Sequence, residues 1–138
     1  MTEQKLLKGP GKLLDPDGNL TQVGWATQQV LDCNLEDCHF YKLKFMQGLR
    51  IKVWDYYAIT TPTHFFSFTV SDVGYIGSIF AYVIEFATGK YEEQTLTVPL
   101  ASGVTIPRNS DTGESIYEGG GRVLRFNVQG TKRTLSVR

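Results

Sequence analysis

Between Leu49 and Phe86, apolar and polar positions alternate with period two through a run rich in β-branched and aromatic residues. The pattern predicts three antiparallel strands. On the first, Leu49, Ile51, Val53, Asp55, Tyr57 and Ile59 share one face, and Arg50, Lys52, Trp54, Tyr56 and Ala58 share the other. On the second, His64, Phe66, Phe68, Val70 and Asp72 form the more apolar face. An even turn of two or four residues around Pro62 brings the two apolar faces to the same side; an odd turn without a bulge would oppose them. In that register Tyr57 faces Phe68, Asp55 faces Val70 and Val53 faces Asp72. The two carboxylates become diagonal neighbours, their Cβ atoms ~7 Å apart.

Carried across Val73-Gly74, the register places Tyr75, Gly77, Ile79, Ala81 and Val83 on the aspartate side of a third strand. Ile76, Phe80, Tyr82, Ile84 and Phe86 join Trp54, Tyr56 and Phe65 on the reverse. Both faces are substantially apolar, so each calls for a cover. Small Gly77 and Ala81 among aromatics would suit a cavity on the aspartate side, and a plain sandwich core is the alternative.

The remaining pattern extends this sheet. Lys12 to Val23, centred on Asp15-Pro16-Asp17-Gly18, reads as a turn or short hairpin. A calcium loop would need a third acidic position before the glycine and a closing Glu, where this chain has Ala26. Gly24 to Asp32 has mixed periodicity, and Asn34-Leu35-Glu36-Asp37 reads as a polar loop or one helical turn. His39 to Phe45 alternates again and predicts a short strand. Ala87 to Lys90 predicts a hairpin turn into Tyr91 to Leu100, with Leu96 and Val98 facing inward. Ser102 to Gly113 reads as a long irregular loop. Strands at Ser115 to Glu118 and Arg122 to Val128 flank Gly119-Gly120-Gly121, and Gln129 to Lys132 turns into Arg133 to Arg138.

The expected fold is all-β: one domain, an antiparallel meander of roughly eight strands forming a barrel or sandwich. Residues 1–38 would be an irregular N-terminal segment and 39–138 the sheet. Alternation continues to Arg138, so the barrel is expected to be incomplete at its C-terminal end. A continuation of the chain, or self-association through the open sheet, would complete it.

Charge and chemistry narrow the function. Fourteen Lys and Arg balance fourteen Asp and Glu with no basic block, which excludes a general nucleic-acid binder. Apolar runs stop well short of a transmembrane segment, and the N-terminus lacks the apolar core of a secretory signal. Two cysteines without a disulfide framework fit a reducing, cytoplasmic setting. Cys33 and Cys38 stand near His39, but no second Cys/His pair completes four metal ligands. No phosphate loop or nucleophile elbow is present, and no residue pattern calls for a cofactor.

The candidate chemistry rests on Asp55 and Asp72. Burial and a nearby like charge would raise a carboxylic acid's pKa and suit it to proton donation; a hydrogen-bonded Asp55 and an Asx turn at Asp72 are the plainer roles. Tyr57, Phe66, Phe68 and Tyr75 are candidate walls of a ligand site, and Arg108 a candidate clamp for a carboxylate. Trp54, Tyr56 and Phe65 read as packing, since a nucleic-acid stacking platform would need surrounding basic residues.

Gly24-Trp25-Ala26, Asp32-Cys33-Asn34-Leu35-Glu36, Arg50-Ile51-Lys52 and Trp54-Asp55-Tyr56-Tyr57 together resemble the domain-of-unknown-function family 2804. So do Asp72, Gly74-Tyr75, Glu85-Phe86 and the loop from Leu100 through Pro107-Arg108-Asn109-Ser110. The resemblance covers nearly the whole chain. It implies the N-terminal portion of a longer, two-barrel protein, distantly lipocalin-like and related in fold to carotenoid hydratases; fold kinship alone assigns no chemistry. Three functions follow as expectations. The favoured one is a barrel that binds an apolar or isoprenoid-like small molecule; the others are an acid/base hydratase or isomerase and a structural half-barrel without its own ligand.

Overall fold

The computed structural model describes residues 4–8, 10–27 and 32–138. The alternating stretch forms β1 (Val53–Thr60), β2 (His64–Asp72) and β3 (Ile76–Glu85), and β4 (Tyr91–Pro99) completes a four-stranded antiparallel sheet in sequence order. A second such sheet holds β5 (Val104–Thr105), β6 (Thr112–Gly119), β7 (Arg122–Gln129) and β8 (Lys132–Val137).

The register follows the hydrophobic pattern. Tyr57 pairs with Phe68, Asp55 with Val70 and Val53 with Asp72. Onward, Asp72 pairs with Gly77, Val70 with Ile79 and Phe68 with Ala81. The β1–β2 turn is even, closed by Thr61, whose N–H donates to the His64 carbonyl at 2.8 Å and whose Oγ1 accepts from the His64 N–H at 2.9 Å. Gly120 and Gly121 make the two-residue turn between β6 and β7, both with positive φ (57° and 75°). That conformation matches the twist of the flanking strands and favours glycine.

The aspartate face of the first sheet packs on the second sheet. Val70 and Ile79 meet Tyr117, Leu124 and Phe126, with Val70 and Phe126 at 0% exposure. The Tyr57 ring tilts onto Phe126 at 4.8 Å. The centre of that face is therefore a sandwich core. Gly77 serves close approach there, because a Cβ at that position would stand 2.8 Å from Val98 Cγ2 and 2.9 Å from the Ala101 Cα. Among the described residues the two sheets do not close into a barrel.

Other elements differ from expectation. His39 to Phe45 is not a strand; the chain bends there and enters a 3-10 helix at Lys44–Leu49. The reason is Gln47, a buried side chain whose Oε1 accepts from the Phe40 and Tyr41 N–H groups (2.9 and 3.2 Å) while its Nε2 donates to the Tyr41 carbonyl (3.1 Å). Those backbone groups are satisfied locally, so no strand ladder is needed. β1 accordingly starts at Val53 rather than Leu49. The loop after Ser102 contains the short β5, which pairs with Ile116 and Tyr117, and β6 begins at Thr112, three residues earlier than expected.

The described residues ahead of Cys38 hold isolated bridges and one short 3-10 turn rather than strands. Single bridges join Leu6 to Trp25, Lys12 to Asp32 and Leu14 to Leu20. Asp15 forms the expected turn, its Oδ1 accepting from the Asp17 and Asn19 N–H groups at 2.9 Å each. Leu35–Asp37 is a single 3-10 turn. Of the stretch whose periodicity is mixed, positions 28–31 lie outside the described residues. Among the described residues no helix is long and apolar enough to cross a membrane.

Candidate functional site

Among the described residues a large concavity lies where three segments meet: Cys33–Glu36, Ile51–Asp55 at the entry to β1, and Ile106–Ser110 after β5. Its volume is about 540 Å³. Ile51, Val53, Trp54, Ile106 and Pro107 give it apolar walls, with Asp55, Arg108 and Asn109 among its polar groups. Smaller depressions lie on the first sheet and between the two sheets. One, of about 260 Å³, includes Phe66, Phe68, Ala81 and Val83; the other, of about 150 Å³, includes Ile79, Leu96, Tyr117, Leu124 and Val137.

Asn34 anchors one wall of the main cleft. It is almost fully buried, its Oδ1 accepting from the Leu14 N–H (3.0 Å) and its Nδ2 donating to the Leu14 carbonyl (2.9 Å) and to Asp37 Oδ2 (2.7 Å). Arg108 ties that wall to the loop opposite: its Nε donates to Asp32 Oδ1 at 2.8 Å and its Nη2 reaches Glu36 Oε1 at 2.6 Å. The guanidinium's hydrogen bonds hold both carboxyls below their ordinary pKa, and the same bonds raise that of Arg108. Arg108, expected as a clamp for a ligand's carboxylate, is engaged by two carboxylates of the chain itself. Asn109 turns the loop into β6, its Oδ1 accepting from the Asp111 and Thr112 N–H groups (3.2 and 3.1 Å).

The seven candidate residues do not converge. Asp55 is half-buried between the sheets and accepts a hydrogen bond from the hydroxyl of Ser115, itself almost fully buried. Asp72 accepts from the Gly74 N–H at 2.7 Å, the Asx-turn arrangement. The pair is diagonal in register, but each carboxylate has a separate partner. Tyr57 belongs to the core, and burial, followed by the charge of Asp55, raises its pKa. Phe68 packs against the same core, and Phe66 stacks on His64 at 5.8 Å. Tyr75 is exposed, with Lys52 Nζ 4.6 Å from its ring centre. That lysine also donates to the carbonyls of Leu49 (3.0 Å) and Val73, tying the entry of β1 to the β2–β3 turn. Only Asp55 and Arg108 border the main cleft.

Sequence reasoning missed the wall residues Ile51, Trp54 and Ile106 and the partners Asp32, Glu36 and Ser115. An acidic pair four residues apart, Asp32 and Glu36, was the one available signal that a cation would sit beside that turn.

Two four-stranded antiparallel sheets packed face to face, with an irregular N-terminal segment framing a cleft against β1, define an all-β sandwich domain. The family described as "domain of unknown function (DUF2804)" matches residues 4–138, and the chain belongs to it. No curated protein and no solved structure gives a significant match.

Proposed function

We propose that the chain is a binding module for an apolar or isoprenoid-like small molecule, seated in the cleft beside Trp54. The carrying observation is the cleft's size and lining. At about 540 Å³ it falls within the ~300–1,000 Å³ typical of small-molecule sites; a depression of about 340 Å³ beside β7 and β8 does too, but four of its six lining residues, Glu118, Arg125, Ser136 and Arg138, are polar or charged. Ile51, Val53, Ile106, Pro107 and the edge of Trp54 supply apolar contact. Asp55 and Arg108 already have protein partners, so the ligand need bring no charge. This places the ligand at the flank of a packed sandwich rather than inside a lipocalin-like barrel. Cys33 and Cys38 are both free thiols, which suits a reducing compartment.

β-Ionone, a compact isoprenoid ketone, is a suitable probe, read through displacement of the fluorescent apolar dye N-phenyl-1-naphthylamine. We expect saturable displacement in the full chain and affinity at least about tenfold weaker in Trp54→Ala and Ile106→Asp. Tyr56→Ala, outside the cleft, should bind like the parent. Displacement that never saturates, or that both cleft variants leave unchanged, rejects the reading.

A further inference from the structure

Asp55 pairs with Val70, whose side chain faces the second sheet, so alternation turns Asp55 and Val53 toward that sheet as well. Both line the main cleft, together with Ile51 at the entry to β1 and Ile106 after β5. The other carboxylate bordering the cleft, Glu36, is exposed and held by Arg108. Asp55 is half-buried and stands among the apolar walls.

The two oxygens of Asp55 are unlike. Oδ2 accepts from the hydroxyl of Ser115, a buried residue of the second sheet. Among the described residues no N–H or O–H donates to Oδ1, and that oxygen is not sealed from solvent. Water can satisfy such an oxygen. An apolar molecule entering the cleft displaces that water and leaves the carboxylate short of one donor, which is unfavourable. A hydrocarbon offers no replacement, and a ketone sets one acceptor against another. A hydroxyl restores the lost hydrogen bond. Lys52 and Arg108 offset Glu36 and Asp55 around the cleft, so no net charge calls for an ionic ligand. A hydroxyl also leaves water more readily than an ammonium does.

We propose that Asp55 sets the specificity of the cleft, its Oδ1 accepting a hydrogen bond from a neutral hydroxyl on an apolar skeleton. The preferred ligand is then an apolar alcohol. Ser115 is a positioning residue: by holding Oδ2 from the opposite sheet, it leaves Oδ1 as the oxygen available to the ligand. The proposal rests on the small-molecule reading of the cleft and narrows it to one ligand class.

β-Ionol and β-ionone carry a hydroxyl and a carbonyl on the same skeleton, and displacement of N-phenyl-1-naphthylamine from the full chain reads both. The parent should bind β-ionol about tenfold to a hundredfold more tightly, the span of a hydrogen bond to a charged group. Asp55→Asn keeps the shape but offers a donor as well as an acceptor, so the preference should shrink to about threefold or less. Trp54→Ala should weaken both probes together and leave their ratio unchanged. The methyl ether of β-ionol, which keeps the oxygen without its O–H, should bind the parent like the ketone. That comparison needs no variant, should circular dichroism show Asp55→Asn to be unfolded. Saturable binding of alcohol and ketone with equal affinity overturns the proposal and leaves the cleft reading standing. A preference that survives Asp55→Asn also overturns it, by tracing the selectivity to another group. If neither probe displaces the dye saturably, both readings fall.

Discussion

Thr69 and Val70 are neighbours on β2, almost equally inaccessible at 4% and 0% exposure, yet different things cover them. Val70 points at the second sheet and is enclosed by Ile79, Tyr117 and Phe126. Thr69 points the other way and is shaded by the larger side chains beside it on β1 and β3. On its side Trp54 remains 62% exposed. A small residue between tall ones becomes buried without any second layer. Burial along one strand therefore says little about which face of a sheet is the core; the large residues must be asked instead, and they answer oppositely on the two faces.

The largest effect that could break this contrast comes from truncating each face in turn. Phe126→Ala removes a fully buried ring that touches Tyr57, and should cost about 3–5 kcal/mol in urea unfolding. Tyr56→Ala, on the half-exposed reverse face, should stay within about 0.5 kcal/mol of the parent. Equal losses would mean that both faces are core.

A smaller effect tests the polar edge of the covered face. Ser115→Ala removes the donor to Asp55 and should cost about 1.5–3 kcal/mol, in the range for hydrogen bonds to charged groups. Adding Asp55→Asn in a double-mutant cycle should return part of that loss, since the uncompensated charge is then gone. Strictly additive losses would show that Ser115 and Asp55 do not interact.

The smallest effect lies outside both faces, at the exposed Arg108 cluster, where solvent screening keeps ion pairs weak. Asp32 and Glu36 have lowered pKa values through Arg108. Their contribution is fully present above ordinary carboxylate pKa values, near pH 4, and is lost as pH falls through the lowered ones. Arg108→Gln should flatten the acid side of a thermal stability profile. Parallel profiles for parent and variant would reject the linkage.

The faces themselves were legible because period two and matched apolar sides determine a hairpin register, and Tyr57 does pair with Phe68. The turns at Gly89, Gly120-Gly121 and Gly130 were legible for a local reason, since positive φ there calls for glycine. What covers the aspartate face was not legible, because alternation reports a face and not its partner. Nor was the clasp of Asp32 by Arg108, which joins residues 76 apart in the chain and leaves no periodic trace. Asp72 followed its local chemistry into an Asx turn. Asp55 was located correctly on its face, but its partner Ser115 comes from the other sheet.

Gln47 has a meaning beyond the loop it closes. His39 to Phe45 has a strand's alternation and presents Phe40, Leu43 and Phe45 to solvent, the last at 82% exposure. A sticky, strand-like segment with free backbone groups is a template for chain-to-chain aggregation. The Gln47 amide occupies the Phe40 and Tyr41 donors and the Tyr41 acceptor from within. It acts as a gatekeeper, placed beside the hazard in sequence and working through the main chain rather than through charge.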